Sequence, residues 1–62
     1  MNSNKVEANY NMNFDNGHFK KGQTYQYKYD EKKEKIFVTT EEGNEQEFFC
    51  FEFNTFFTFL KN

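Results

Sequence analysis

Val6-Glu7-Ala8-Asn9-Tyr10-Asn11-Met12-Asn13-Phe14-Asp15-Asn16-Gly17-His18-Phe19 decides how this chain is read. From Val6 to Phe14 every second residue is apolar, and the residues between are Glu7, Asn9, Asn11 and Asn13. A two-residue period of this kind is a strand with one wet face. Asn16-Gly17 follows, and Asn-Gly between strand-like runs is a strong hairpin signal, because both central residues of a type I′ turn need positive φ. With Asn16 and Gly17 central, Phe14 lies opposite Phe19, Met12 opposite Lys21, Ala8 opposite Tyr25 and Val6 opposite Tyr27. Gly22 then marks a bulge or bend.

Working outward, Gln23 to Asp30 reads as a second strand, with Tyr25, Tyr27 and Tyr29 on one face and Thr24, Gln26 and Lys28 on the other. Asp30 to Lys35 is a charged loop. Lys35 to Thr40 is a third strand, with Ile36 and Val38 facing one way and Phe37 and Thr39 the other. Glu41-Glu42-Gly43-Asn44 is a tight turn with Gly43 in the left-handed region. Glu45 to Glu52 returns as a strand. A three-residue loop pairs Ile36 with Phe48, whereas a four-residue loop pairs Ile36 with Phe49. In either register Phe48 takes one face and Phe49 and Phe51 the other. From Phe53 the period changes: Phe53, Phe56, Phe57 and Leu60 fit helical spacing, with Asn54 as N-cap. The competing reading is a final short strand, since Phe57 and Phe59 alternate. Residues 1–4 read as a frayed end, and residues 5–62 as one domain. The expectation is an all-β fold, or a β-rich one with one short C-terminal helical turn, built as an antiparallel meander of four to five strands.

Phe19-Lys20-Lys21-Gly22-Gln23-Thr24-Tyr25-Gln26-Tyr27 resembles the early part of SH3 domains, where a hydrophobic residue, basic residues and Gly-Asp lead into an alternating strand. The order that follows over residues 14 to 60 is similar too: loop, strand, tight hairpin, strand, short 3₁₀ turn. Gln23 stands where the family carries an acid, and the family's tryptophan, its proline before the 3₁₀ turn and its Ala-Leu-Tyr-Asp-Tyr run are absent. The resemblance therefore implies an SH3-like small barrel without the proline-rich ligand groove. Barrels of this kind serve as nucleic-acid, polymerase-binding and inhibitor modules, and fold alone does not choose among them.

Composition narrows the function classes. A chain of 62 residues buries only about 60% of its unfolded surface, yet this one carries ten Phe and four Tyr. Rings of roughly 150–250 Å² each exceed what so thin a core hides, so an exposed aromatic docking patch is expected. One cysteine, Cys50, allows no internal disulfide, and one histidine, His18, allows no ordinary zinc site. Cys50 has only His18 as a catalytic partner, and it sits in sequence among Phe48, Phe49, Phe51 and Phe53, where a thiol acts as a small buried hydrophobe. No catalytic residue, metal or cofactor is assigned, and the chain is read as not an enzyme. His18 flanks the hairpin turn and is expected to be exposed.

Phe, Tyr, Asn and Lys, all with AT-rich codons, make up half the chain, a style similar to short proteins from phages of low-GC bacteria. No segment approaches the ~20 apolar residues of a membrane span, and Met1-Asn2-Ser3-Asn4-Lys5 lacks a signal peptide's apolar core. The expected setting is the bacterial host cytoplasm. The preferred function is a phage or mobile-element protein that binds and inhibits a host or defence protein. Its contacts are Tyr29, Phe37, Phe49, Phe51 and Phe57, with Glu41, Glu42, Glu45 and Glu47, together with Glu52, standing where nucleic-acid phosphates would lie. The alternative is a nucleic-acid-binding barrel using Lys20, Lys21, Lys32, Lys33 and Lys35. A homodimer that buries the surplus rings is compatible with the first reading. The middle lysines and later glutamates also suggest a basic end and an acidic end, against the plainer reading of solvated strand faces.

Overall fold

The alternation from Val6 to Phe14 is realised as two strands with a break between them. The computed structural model describes residues 4–60. In it β1 spans Lys5–Ala8 and β2 Met12–Phe14, followed by β3 (Gly17–Phe19), β4 (Thr24–Asp30), β5 (Lys35–Thr39), β6 (Glu45–Phe49), helix α1 (Cys50–Phe56) and β7 (Phe57–Phe59). The frayed end expected at residues 1–4 falls mostly outside the described residues, and Asn4 itself is held: its carbonyl accepts the Tyr27 N–H at 2.9 Å. The break after Ala8 comes from Asn9, whose N–H donates to Phe56 O (2.8 Å) and whose side chain bonds Thr55 O (3.1 Å) and Thr58 Oγ1 (2.7 Å). A short polar side chain that bonds nearby main chain draws the backbone out of its ladder.

The sheet is antiparallel and five-stranded, in the order β6-β5-β4-β1-β7, with β2 and β3 forming a separate two-stranded hairpin. First and last strands are thus neighbours (Val6↔Phe59, Ala8↔Phe57), and β4, β5 and β6 form a meander. Among the described residues no ladder joins β6 to β7, so the sheet is not closed.

The expected register of the first hairpin is corrected by two residues. Phe14 faces Gly17 and Met12 faces Phe19, while Val6 faces Tyr25. Asp15 and Asn16 therefore form the turn. Of the two residues expected to take positive φ, Gly17 does (φ 145) and Asn16 does not. A slip of two keeps every side chain on its face, so Val6, Ala8, Met12 and Phe19 are buried as the pattern required. At the second hairpin Ile36 pairs with Phe48, and Thr40 N–H donates to Asn44 O (2.7 Å) across the three-residue loop.

The end of the chain is corrected more deeply. The strand expected to run to Glu52 stops at Phe49, and the helix starts at Cys50, so Asn54 is inside it. Phe49 is the cap residue, and its N–H donates to Glu52 Oε1 at 3.0 Å. Both readings of the tail prove partly right, since α1 passes into β7 at Phe57.

The core is a lattice of rings. Phe19 packs edge-on against Tyr25 (4.9 Å between centroids) and Phe57 (5.2 Å). Phe48 meets Phe57 and Phe14 at 5.3 Å each. Phe53 lies 5.3 Å from Phe57 and 5.6 Å from Tyr27. Val6, Ala8, Met12, Ile36 and Val38 fill between them.

The tips of the two hairpins are clasped together. Asn16 Nδ2 donates to Glu45 O (3.0 Å), Asn44 Nδ2 to Asn16 O (3.0 Å), and Glu41 N–H to His18 O (3.0 Å). The clasp also shields the outer edge of β6. The Thr40–Asn44 bond fixes the ladder's alternation, which turns the main-chain groups of Glu45, Glu47 and Phe49 away from β5. Glu45 O is taken by Asn16, Phe49 N–H by Glu52, and Glu47 O by Gln46 Nε2 (3.4 Å).

Gly17 is where the clasp is tightest. A Cβ there would collide with the side chains of Thr40 and Glu42, on a backbone conformation L-residues rarely adopt. Gly17→Ala is expected to cost roughly 1–3 kcal/mol in urea unfolding. Gly22→Ala, which meets open space, is expected to cost about 1 kcal/mol, from its φ alone.

Candidate functional site

Five of the fourteen rings are buried, four are half-buried, and five, those of Tyr10, Tyr29, Phe49, Phe51 and Phe59, are exposed. The exposed aromatic surface expected from composition is present in a single protomer. Its sharpest point is the corner where β6 turns into α1. Phe49 is on the face of β6 opposite Phe48, and the helix start swings Phe51 alongside it. The two rings stack at 5.8 Å with 9° between their planes, 51% and 76% exposed. Lys35 Nζ lies over the Phe49 ring, 5.2 Å from its centroid.

Phe37 is half-buried on the same outer face of the sheet, with Lys33 Nζ 6.0 Å from its centroid. Tyr29 lies at the far end of the inner face. Its hydroxyl titrates above the usual range, through lost hydration and then the charges of Cys50 and Glu34. Phe57 is a correction: at 2% exposure it belongs to the core. So is Cys50, which is exposed at the first turn of α1. The helix starts earlier than periodicity implied, and this lifts the thiol out of the strand face that would have buried it.

The five carboxylates expected to stand in for phosphates all have partners within the chain, Glu52 through the Phe49 N–H. Tyr25 Oη donates to Glu41 Oε2 (2.5 Å) and accepts the Lys20 N–H (2.8 Å). Burial and then the Glu41 bond raise the Tyr25 pKa. Glu42 accepts the His18 N–H at 2.9 Å and also contacts His18 Nδ1. His18 is therefore half-buried and bonded. Glu45 pairs with Lys28 at 3.1 Å and Glu47 with Lys35 at 2.8 Å. Glu41 and Glu42 are tied into the clasp. Glu45 and Glu47 lie on the outer face in exposed pairs, which hold little net free energy.

The lysines do not form one basic face. Lys20 and Lys21 sit in the β3–β4 turn and Lys32 and Lys33 in the β4–β5 turn, at opposite ends of the seven-residue β4, about 20 Å apart at 3.3 Å per residue. Lys20 shares its end with Glu41 and Glu42, so the chain has no separate basic and acidic ends.

A groove of about 300 Å³ opens on the outer face, lined by Asn4, Gln26, Lys28, Phe37, Thr39 and Glu45. Sequence reasoning singled out Phe37 and Glu45 and missed Gln26, Lys28 and Thr39. The signal was available: Gln26 and Lys28 alternate with the tyrosines of β4, and Thr39 alternates with Val38, so all three had to share the face of Phe37. Among the described residues no cluster of three or more His, Cys, Asp or Glu is placed to hold a metal ion, and no helix is long and apolar enough to cross a membrane. No family model, curated protein or solved structure matches the chain.

Two outcomes test this description. Phe53→Ala should cost about 3–5 kcal/mol, a large part of the roughly 3–9 kcal/mol expected for 62 residues, and so sharply lower the urea midpoint. Phe51→Ala should leave the urea midpoint within about 0.5 kcal/mol of wild type. The second outcome concerns pH. The His18 main-chain bond holds Glu42 below the usual carboxylate range; burial opposes it, and the His18 ring adds to the lowering. A depressed folded pKa gives stability that is present above the unfolded value and is lost as pH falls through the folded one. The urea midpoint should therefore drop between neutral and strongly acid pH, and Glu42→Gln should flatten that drop.

Proposed function

We propose that this chain is a small binding protein of a phage or mobile element, which docks on a host or defence protein in the bacterial cytoplasm and inhibits it. The docking corner is Phe49 and Phe51, with Phe37 beside them on the outer face. The observation that carries this reading is the Phe49–Phe51 stack: two parallel rings more than half exposed at the strand-to-helix junction. Large rings lose little freedom on binding and are the usual anchors of protein interfaces. Glu41 and Glu42, being tied into the clasp, support the fold and not the contact. The AT-biased composition supports the phage or mobile-element source.

The test is retention of a partner from a low-GC bacterial lysate by the wild-type chain and by Phe51→Asp. One dominant protein kept by the wild type and lost by the variant is expected. With that protein purified, affinity should fall by roughly thirtyfold, the loss of one hot-spot residue worth about 2 kcal/mol. Equal retention by both chains counts against the corner. A solution mass of two protomers, reduced to one by Phe51→Asp, would reassign the ring pair to a homodimer interface.

A further inference from the structure

On its outer face the protein already solves a recognition problem with its own side chains. Three cations sit on four acceptors there: Lys28 on Glu45 (3.1 Å), Lys35 on Glu47 (2.8 Å) and over the Phe49 ring (5.2 Å), and Lys33 over the Phe37 ring (6.0 Å). We propose that this face receives arginine side chains from the docked partner protein, and that Lys28, Lys33 and Lys35 hold the cation positions until it arrives. This rests on the docking reading above and names the chemistry of the partner.

The charges alone are balanced, with those three lysines facing Asp30, Glu45 and Glu47 across β4, β5 and β6. The rings break the tie, because an aromatic face attracts a cation and repels an anion. Arginine is the better occupant. Its planar guanidinium stacks on a ring while its fork binds a carboxylate, and a lysine ammonium does only one of these at a time. The groove supplies the setting: Phe37 and Glu45 line it together with Gln26 and Thr39, whose carboxamide and hydroxyl oxygens are further acceptors. Removing a resident lysine should therefore strengthen binding; since loss of a positive charge favours any cation, the preference for arginine over lysine and its persistence in salt distinguish seated guanidinium groups from general attraction.

The test is a titration of the ¹⁵N-labelled full chain with capped tetra-arginine, tetra-lysine and tetra-glutamate peptides. Tetra-arginine should shift the amides of Phe37, Thr39 and Glu45 and saturate, with tetra-lysine about tenfold weaker. Lys28→Ala should tighten tetra-arginine binding several-fold, and Glu45→Gln combined with Glu47→Gln should weaken it about tenfold. The proposal is overturned by equal responses to arginine and lysine that vanish in salt, by preferential binding of tetra-glutamate, or by weaker binding to Lys28→Ala. The two readings fail separately. A partner lost by Phe51→Asp but indifferent to Lys28→Ala and to the glutamine pair keeps the docking corner and rejects the arginine sites. Peptide saturation of the outer face alongside unchanged partner retention by Phe51→Asp does the reverse.

Discussion

Edge-on contact between Phe19 and its neighbours is the constraint on which the rest of this molecule depends. The ring lies within 4.9 to 6.1 Å of Tyr25, Phe57, Phe14 and Phe48, and those residues come from β4, β7, β2 and β6. One side chain therefore joins the small hairpin to both outer strands of the large sheet. Aliphatics are few, so the core is filled by large flat groups, and flat groups pack densely only at defined angles. The register of the strands that carry core rings, β2, β3, β4, β6 and β7, is then fixed by which rings must meet.

That economy has a surface counterpart. Burying Phe48 on one face of β6 puts Phe49 on the other, and a helix that begins at Cys50 gives Phe51 no inward direction. The exposed stack follows from the same alternation that builds the core. The polar clasp between the hairpins acts in the opposite sense: it consumes Glu41, Glu42, Asn16 and Asn44 internally and leaves the outer face of β4, β5 and β6 as the place where charge remains in weak, exchangeable pairs.

Much of this was legible in the residues. Alternation located the strands and their faces, and it required Phe48 in and Phe49 out. What stayed hidden was long-range in origin. The break at Asn9 depends on carbonyls from α1, and the position of Gly17 in the first turn depends on Thr40 and Glu42 pressing against it. The helix start at Cys50 depends on Glu52 capping Phe49, a signal masked by the Phe run around it. For the candidate site, the rings were found and their partners were not. Pairing of Glu41 with Tyr25 or Glu42 with His18 joins residues 16 and 24 positions apart, and no local pattern encodes it.

A chain so rich in phenylalanine ought to be prone to filament growth, since an unpaired β edge is a template for adding further strands. Here the longer edge, β6, has Glu45 O, Glu47 O and Phe49 N–H each occupied by a side chain, and the other edge, β7, is only three residues long. Loosening the hairpin clasp would therefore free a carbonyl on that edge as well as weaken the fold. Asn16, a turn residue in another hairpin, thereby takes one acceptor from the edge on which a further strand would have to pair.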